Sequence, residues 1–149
     1  MSEHQEVPFK SHPIQLIGLH VKELHIKANE APDITVGVES EEGGLCSISV
    51  GHGEFVAEDS TISVALKLEI GETDQEPAPP FSMKIELMAT FKVDVTRFDI
   101  QYITDFARRN APYIMMPYLR EHAFALSGKC GFRPIILPLT EVPVSKPQA

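Results

Sequence analysis

Apolar and polar residues alternate over two long stretches of this chain. Ile62, Val64, Leu66, Leu68 and Ile70 take every even position of one, with Ser63, Lys67 and Glu69 between them. Phe81, Met83, Ile85, Leu87, Ala89, Phe91 and Val93 take every odd position of the other. A period of two places each set on one face of a half-buried strand. The linker at 71–80 (GETDQEPAPP) is too polar and Pro-rich to pair, so the two strands are expected to run antiparallel across a mobile loop, with 81–93 the longest strand of the chain. Nearer the N-terminus, Ile17, Leu19 and Val21 are odd while Leu24 and Ile26 are even. One extra residue at Lys22-Glu23, a β-bulge, brings all five to one face. Shorter alternations predict strands at 34–38 and 46–50, with a turn or crossover at 29–33 (NEAPD) and an acidic turn at 39–44.

After position 93 the period changes to that of a helix. Ile100, Ile103, Phe106 and Ala107 fall on one side, Asp99 is placed to cap, and Arg108-Arg109 suits the C-terminal dipole. A second helix is expected from Asn110, its cap, with Pro112 in the first turn and Pro117 bending it. Tyr118, Leu119, Ala123, Phe124 and Leu126 continue an apolar stripe with Arg120 and Glu121 pointing away, and Ser127-Gly128 supplies the stop before an extended apolar segment. Strands first and helices last predict an α+β fold, the helices gathered on one side of an antiparallel sheet. One domain over residues 1–149 is expected, with flexible ends at 1–13 and 139–149.

The net charge of −8 and a pI near 5.2 argue against nucleic-acid binding, which needs clustered Lys and Arg. Cys46 and Cys130 show neither a disulfide framework nor metal spacing, and a reducing cytosol suits them. The N-terminus carries no apolar leader and no run of 18 apolar residues occurs, so neither export nor membrane insertion is expected. The six histidines lack paired spacing, and the carboxylates at 39–42 and 54–59 read as a solvated rim. No nucleophile, acid/base pair or phosphate loop stands out, so the chain is read as no enzyme, with no cofactor and no metal. The run Tyr113, Ile114, Met115, Met116, Tyr118 is apolar almost all round a helix, so one side meets the sheet and another must meet something else.

The pattern Pro112-x-Ile114-x-x-Pro117-Tyr118-x-Arg120-Glu121, followed by Gly131-Phe132-x-Pro134-x-x-Leu137-Pro138, resembles the SecB family of protein-export chaperones. Residues 22–32 (KELHIKANEAP) add to it, and the likeness spans most of 14–138. The resemblance implies a four-stranded antiparallel sheet assembled as a cytoplasmic homotetramer, a dimer of dimers. It implies a holdase that keeps unfolded preproteins translocation-competent. Client contacts would then involve Tyr113, Met115, Met116, Tyr118 and Phe132, and the oligomer interface Ile100, Ile103 and Phe106. Glu23 falls at an acidic position where the motor ATPase SecA docks, whereas Lys27 and Lys84 stand at neighbouring acidic positions. The end of the chain (LTEVPVSKPQA) does not match the terminal helix and zinc-binding tail of larger members, which implies weaker coupling to SecA. It favours the alternative of a SecB-like chaperone dedicated to one partner, such as the antitoxin of a toxin–antitoxin system. A small α+β enzyme or ligand-binding domain is the alternative from another class.

Overall fold

The computed structural model describes residues 8–29, 46–71 and 80–139. The expected strand at 34–38, the acidic turn at 39–44, and most of the 29–33 crossover, the 71–80 linker and the two ends lie outside them. Four strands, β1 (Ile14–Ala28), β2 (Cys46–His52), β3 (Thr61–Ile70) and β4 (Phe81–Val93), form one sheet in the order β1-β4-β3-β2. Every neighbouring pair is antiparallel.

The alternation read from the sequence holds in the central strands. All of Ile62, Val64, Leu66, Leu68 and Ile70, and all seven odd residues of β4, are buried. Register places them opposite one another, Leu66 against Leu87 and Leu68 against Ile85, so one sheet face is continuous apolar surface.

β1, at 15 residues, is longer than the 13 of β4, contrary to the expectation that β4 is longest. Its register shifts twice, between Val21 and Glu23 as expected, and also between Leu16 and Gly18. The second shift makes Leu16, opposite Phe91, the core-side residue and leaves Ile17 57% exposed. Ile17 therefore does not share the face of Leu19, Val21, Leu24 and Ile26. A period-two pattern resumes after each bulge with its phase reset; at this one the core side passes from even Ile14 and Leu16 to odd Leu19 and Val21, and the apolar Ile17 between them masks the change of parity.

From Ile100 to Lys129 the chain is one continuous helical run: a 3₁₀ turn (Ile100–Tyr102), one α turn (α1, Ile103–Asp105), a π turn (Phe106–Asn110) and the long helix α2 (Ala111–Lys129). Asp99 Oδ1 accepts the Gln101 N–H and caps the start. Asn110 does not begin a new helix, because its backbone is already helical and its side chain makes no cap. The buried residues explain the π turn. Ile103, Ala107, Ala111, Met115, Leu119, Ala123 and Ser127 recur at intervals of four, and a straight α-helix would carry such a stripe about 40° round its axis at each step. The wider turn, in which the Ala111 N–H reaches the Phe106 carbonyl, absorbs part of that drift and keeps both halves on the sheet. The same winding leaves Tyr118 and Phe124, expected on the buried stripe, 40% and 48% exposed.

The helix stops one turn later than expected, at Gly131, which takes φ 85°. The Phe132 N–H reaches the Ser127 carbonyl and the Gly131 N–H reaches Gly128, the paired bonds of a Schellman motif that requires a left-handed residue. Ser127 has another role. It is fully buried, its hydroxyl donates to the Ala123 carbonyl and accepts the Ile135 N–H at 2.9 Å, pinning the returning segment to the helix. Along that segment Ile135 and Leu137 are buried while Ile136 is 74% exposed, and half-buried Arg120, expected to point away, donates to the Pro138 carbonyl. Ser127→Ala leaves the Ile135 N–H buried without an acceptor. A loss of about 1–3 kcal/mol in a urea titration is expected; an unchanged midpoint would show that water reaches this amide.

Candidate functional site

Helix α2 lies over β3 and β4, so the core-side face of the edge strand β1 is only partly covered. Leu16, Leu19 and Ile26 are half-buried, and Val21 and Leu24 are 39% and 47% exposed. An apolar trough therefore runs along β1 beside the helix. At the start of β1 it opens into a groove of about 910 Å³, lined by His12, Ile14, Leu16, Phe91, Phe98, Tyr102, Phe106, Arg109, Tyr113 and Ile114 among others. Phe106 forms its floor, held edge-on against Phe91 with ring centroids 5.4 Å apart and beside the His12 ring at 6.3 Å. Ile114, 41% exposed, and Tyr118 one turn further on give α2 an apolar outer flank on that side.

His12 Nδ1 takes the Ile14 N–H at 2.9 Å, and the ionisable groups in the lining besides His12 are Asp105, Arg109, Tyr102 and Tyr113. Among the described residues no three or more His, Cys, Asp or Glu side chains gather as a metal site needs. Both cysteines are free, and burial pushes the Cys46 thiol above its ordinary pKa, which disfavours the reactive thiolate. Among the described residues no helix is long and apolar enough to cross a membrane.

The residues expected to meet clients separate into two groups. Met115, Met116 and Phe132 are 0%, 3% and 5% exposed; they face the sheet, and the Phe132 ring lies 5.0 Å from that of Phe81. Tyr113 and Tyr118 are partly open. Of the expected interface residues, Ile103 and Phe106 are 7% and 6% exposed within the single chain, whereas Ile100 is 39% exposed. The sequence reading did not single out Leu16, His12, Phe98 or Tyr102. The second bulge conceals Leu16, His12 and Phe98 come from segments without periodic pattern, and Tyr102 is not among the residues that mark the apolar side of the helical period.

The opposite face of the sheet is polar. Its register rows run Glu23–Glu86–Lys67 and His25–Lys84–Glu69, with Lys27 beyond them and Lys92 at the far end. Lys22 reaches Glu86 at 3.5 Å and Lys67 reaches Glu69 at 2.9 Å. The latter contact raises the Lys67 pKa and lowers that of Glu69. Glu23, expected as a motor contact, stands on this face directly across from Glu86.

A four-stranded antiparallel sheet with a C-terminal helix packed on it is the SecB-like fold. The chain is similar to the SecB-like chaperone Rv1957 of Mycobacterium tuberculosis, whose structure was solved in complex with a ChAD peptide from the antitoxin HigA1 (Rv1956). The likeness covers 89% of this chain and 94% of that one, with a TM-score of 0.65 and 17% sequence identity. A looser likeness, TM-score 0.42 and 12% identity over 85% of this chain and 97% of that one, is to a protein of unknown function from Streptococcus agalactiae. No family model and no curated protein matches the sequence.

Proposed function

We propose that this protein is a SecB-like chaperone that holds extended, apolar polypeptide in the trough along β1, without nucleotide or covalent chemistry. The observation that carries this reading is the partly bare core-side face of β1, with Val21 and Leu24 39% and 47% exposed, bordered by Tyr113, Ile114 and Tyr118. A surface of this kind costs solubility unless something covers it. Each client side chain buried there contributes about 1.5–3 kcal/mol before ordering costs, so affinity requires several subsites at once. A homotetramer, the assembly we infer, links them by effective concentration. In this reading the protein works in the cytoplasm, in keeping with its free Cys46 and Cys130.

The experiment is suppression of aggregation of a denatured reduced protein, without ATP and with a chelator present. Leu24→Ser and Tyr118→Ser, both at half-exposed positions, are expected to cut capture by about tenfold together while leaving the melting temperature unchanged, since each removes apolar contact area without opening the core. Undiminished capture by the double variant would place the client elsewhere.

Two clients fit this surface: export precursors handed to SecA, and a single dedicated partner such as an antitoxin. The antitoxin peptide in the similar solved structure and the lysines Lys27 and Lys84 on the polar face favour the dedicated partner. One small protein co-purifying at fixed stoichiometry would support it, and a broad set of precursors would support export.

A further inference from the structure

The groove at the start of β1 has an apolar floor, and besides His12 its lining carries two charged side chains, Asp105 and Arg109. Both are exposed. They stand four residues apart on one helical run, the spacing at which opposite charges meet, yet they form none of the ion pairs among the described residues. Arg97 and Arg120 donate to the carbonyls of Ser11 and Pro138. The Arg109 guanidinium, by contrast, makes no hydrogen bond or ion pair among the described residues. Its neighbour Arg108 is also exposed but does not line the groove.

We propose that Arg109 is the client-selecting residue of this groove, and that the segment it selects is apolar with an acidic residue beside its anchor. The inference rests on the client-holding reading above and names the chemistry of the client. Charge complementarity carries it. A guanidinium presents a planar fork of donors that matches both oxygens of a carboxylate. Phe106, the groove floor, lies three residues before Arg109 on the same helical run, so an anchor seated on that ring brings its chain neighbour within reach of the guanidinium. Two effects oppose the contact, Asp105 in the same lining and the total charge of −8 on the chain. The second acts at long range and is screened beyond about 8 Å at physiological salt, whereas a contact pair is screened much less. The local pair therefore sets the preference.

The test is fluorescence anisotropy at about 150 mM salt with the full chain and three fluorescein-labelled peptides. Each alternates Leu and Ser around a central Phe, so that its apolar side chains share one face of an extended segment, and carries Glu, Gln or Lys beside that Phe. The Glu peptide is expected to bind most tightly, about threefold more so than the Gln peptide, the scale of an exposed contact pair. Arg109→Gln should bring that ratio to about one and Arg109→Glu should invert it, while Arg109→Lys, which keeps the charge without the fork, keeps part of it. Arg108→Gln removes the same charge from the adjacent residue and should keep the ratio of the parent. Far-UV circular dichroism and a thermal melt establish that each variant is folded, and Arg109→Lys decides if the others are not. The inference is overturned if the three peptides bind alike, if the Lys peptide binds most tightly, or if Arg108→Gln lowers the ratio as far as Arg109→Gln does. Should that happen while aggregation of a denatured protein is still suppressed, the chaperone reading stands without it. Absence of both peptide binding and suppression overturns the two together. Leu24→Ser/Tyr118→Ser should weaken all three peptides and keep their ratio, since it removes apolar contact and leaves Arg109 in place.

Discussion

Ile103→Asp is expected to unfold the chain rather than to split an assembly. Ile103 heads the stripe that recurs at intervals of four and is 7% exposed in the isolated chain. It is followed by Phe106, which packs edge-on against Phe91. Burying an unpaired carboxylate at that position costs several kcal/mol. That is a large share of the roughly 5–15 kcal/mol by which domains of this kind are stable. The informative comparison is Ile100→Asp, one turn earlier and 39% exposed, which should remain folded. If the 3₁₀ turn contributes to the assembly we infer, light scattering of that variant will show a lower mass. A urea midpoint for Ile103→Asp equal to that of the parent would contradict the packing described here. A folded Ile103→Asp dimer would return this residue to the interface.

Phe132→Ala is expected to cost about 3–5 kcal/mol, and Met115→Ala about 2–5, as core truncations that leave cavities. Phe132 is 5% exposed and its ring lies 5.0 Å from that of Phe81, closing the end of the molecule where the chain leaves the Schellman turn. Met115 is fully buried beneath α2. A capture assay on these variants at one temperature would show lost activity and invite a binding role. The distinction lies in capture per folded molecule, measured below the onset of melting with stability followed in parallel. There the Phe132 and Met115 variants should match the parent, whereas Leu24→Ser/Tyr118→Ser should not. Reduced capture by well-folded Phe132→Ala would mean that the ring leaves the core to meet clients.

The contrast between these residues shows how far the sequence could be read. The 112–121 and 131–138 patterns identified the right fold, and the period-two stretches identified the strands and their buried faces. That worked because β3 and β4 are central strands, where burial on one face forces alternation along the whole length. Met115, Met116, Tyr113 and Tyr118 looked alike in one dimension. A helix apolar nearly all round does not say which side meets the sheet, since rotation by one residue moves a side chain about 100°.

The order of elements, the two faces of β3 and β4, the Asp99 cap and the return of the chain after a glycine were thus determined by the sequence itself, through periodicity and residues that local geometry demands. The tertiary structure decided which glycine ends the helix: Gly131 takes φ 85°, its own N–H reaches the Gly128 carbonyl, and the Phe132 N–H reaches that of Ser127. It also decided where the helical run is π, since a stripe at intervals of four must stay above a fixed sheet. And it decided that β1 carries a second bulge at Leu16–Gly18, which turns Leu16 toward the groove and Ile17 away. A bulge is a property of the pairing between two strands, and the residues of one strand do not specify it by themselves.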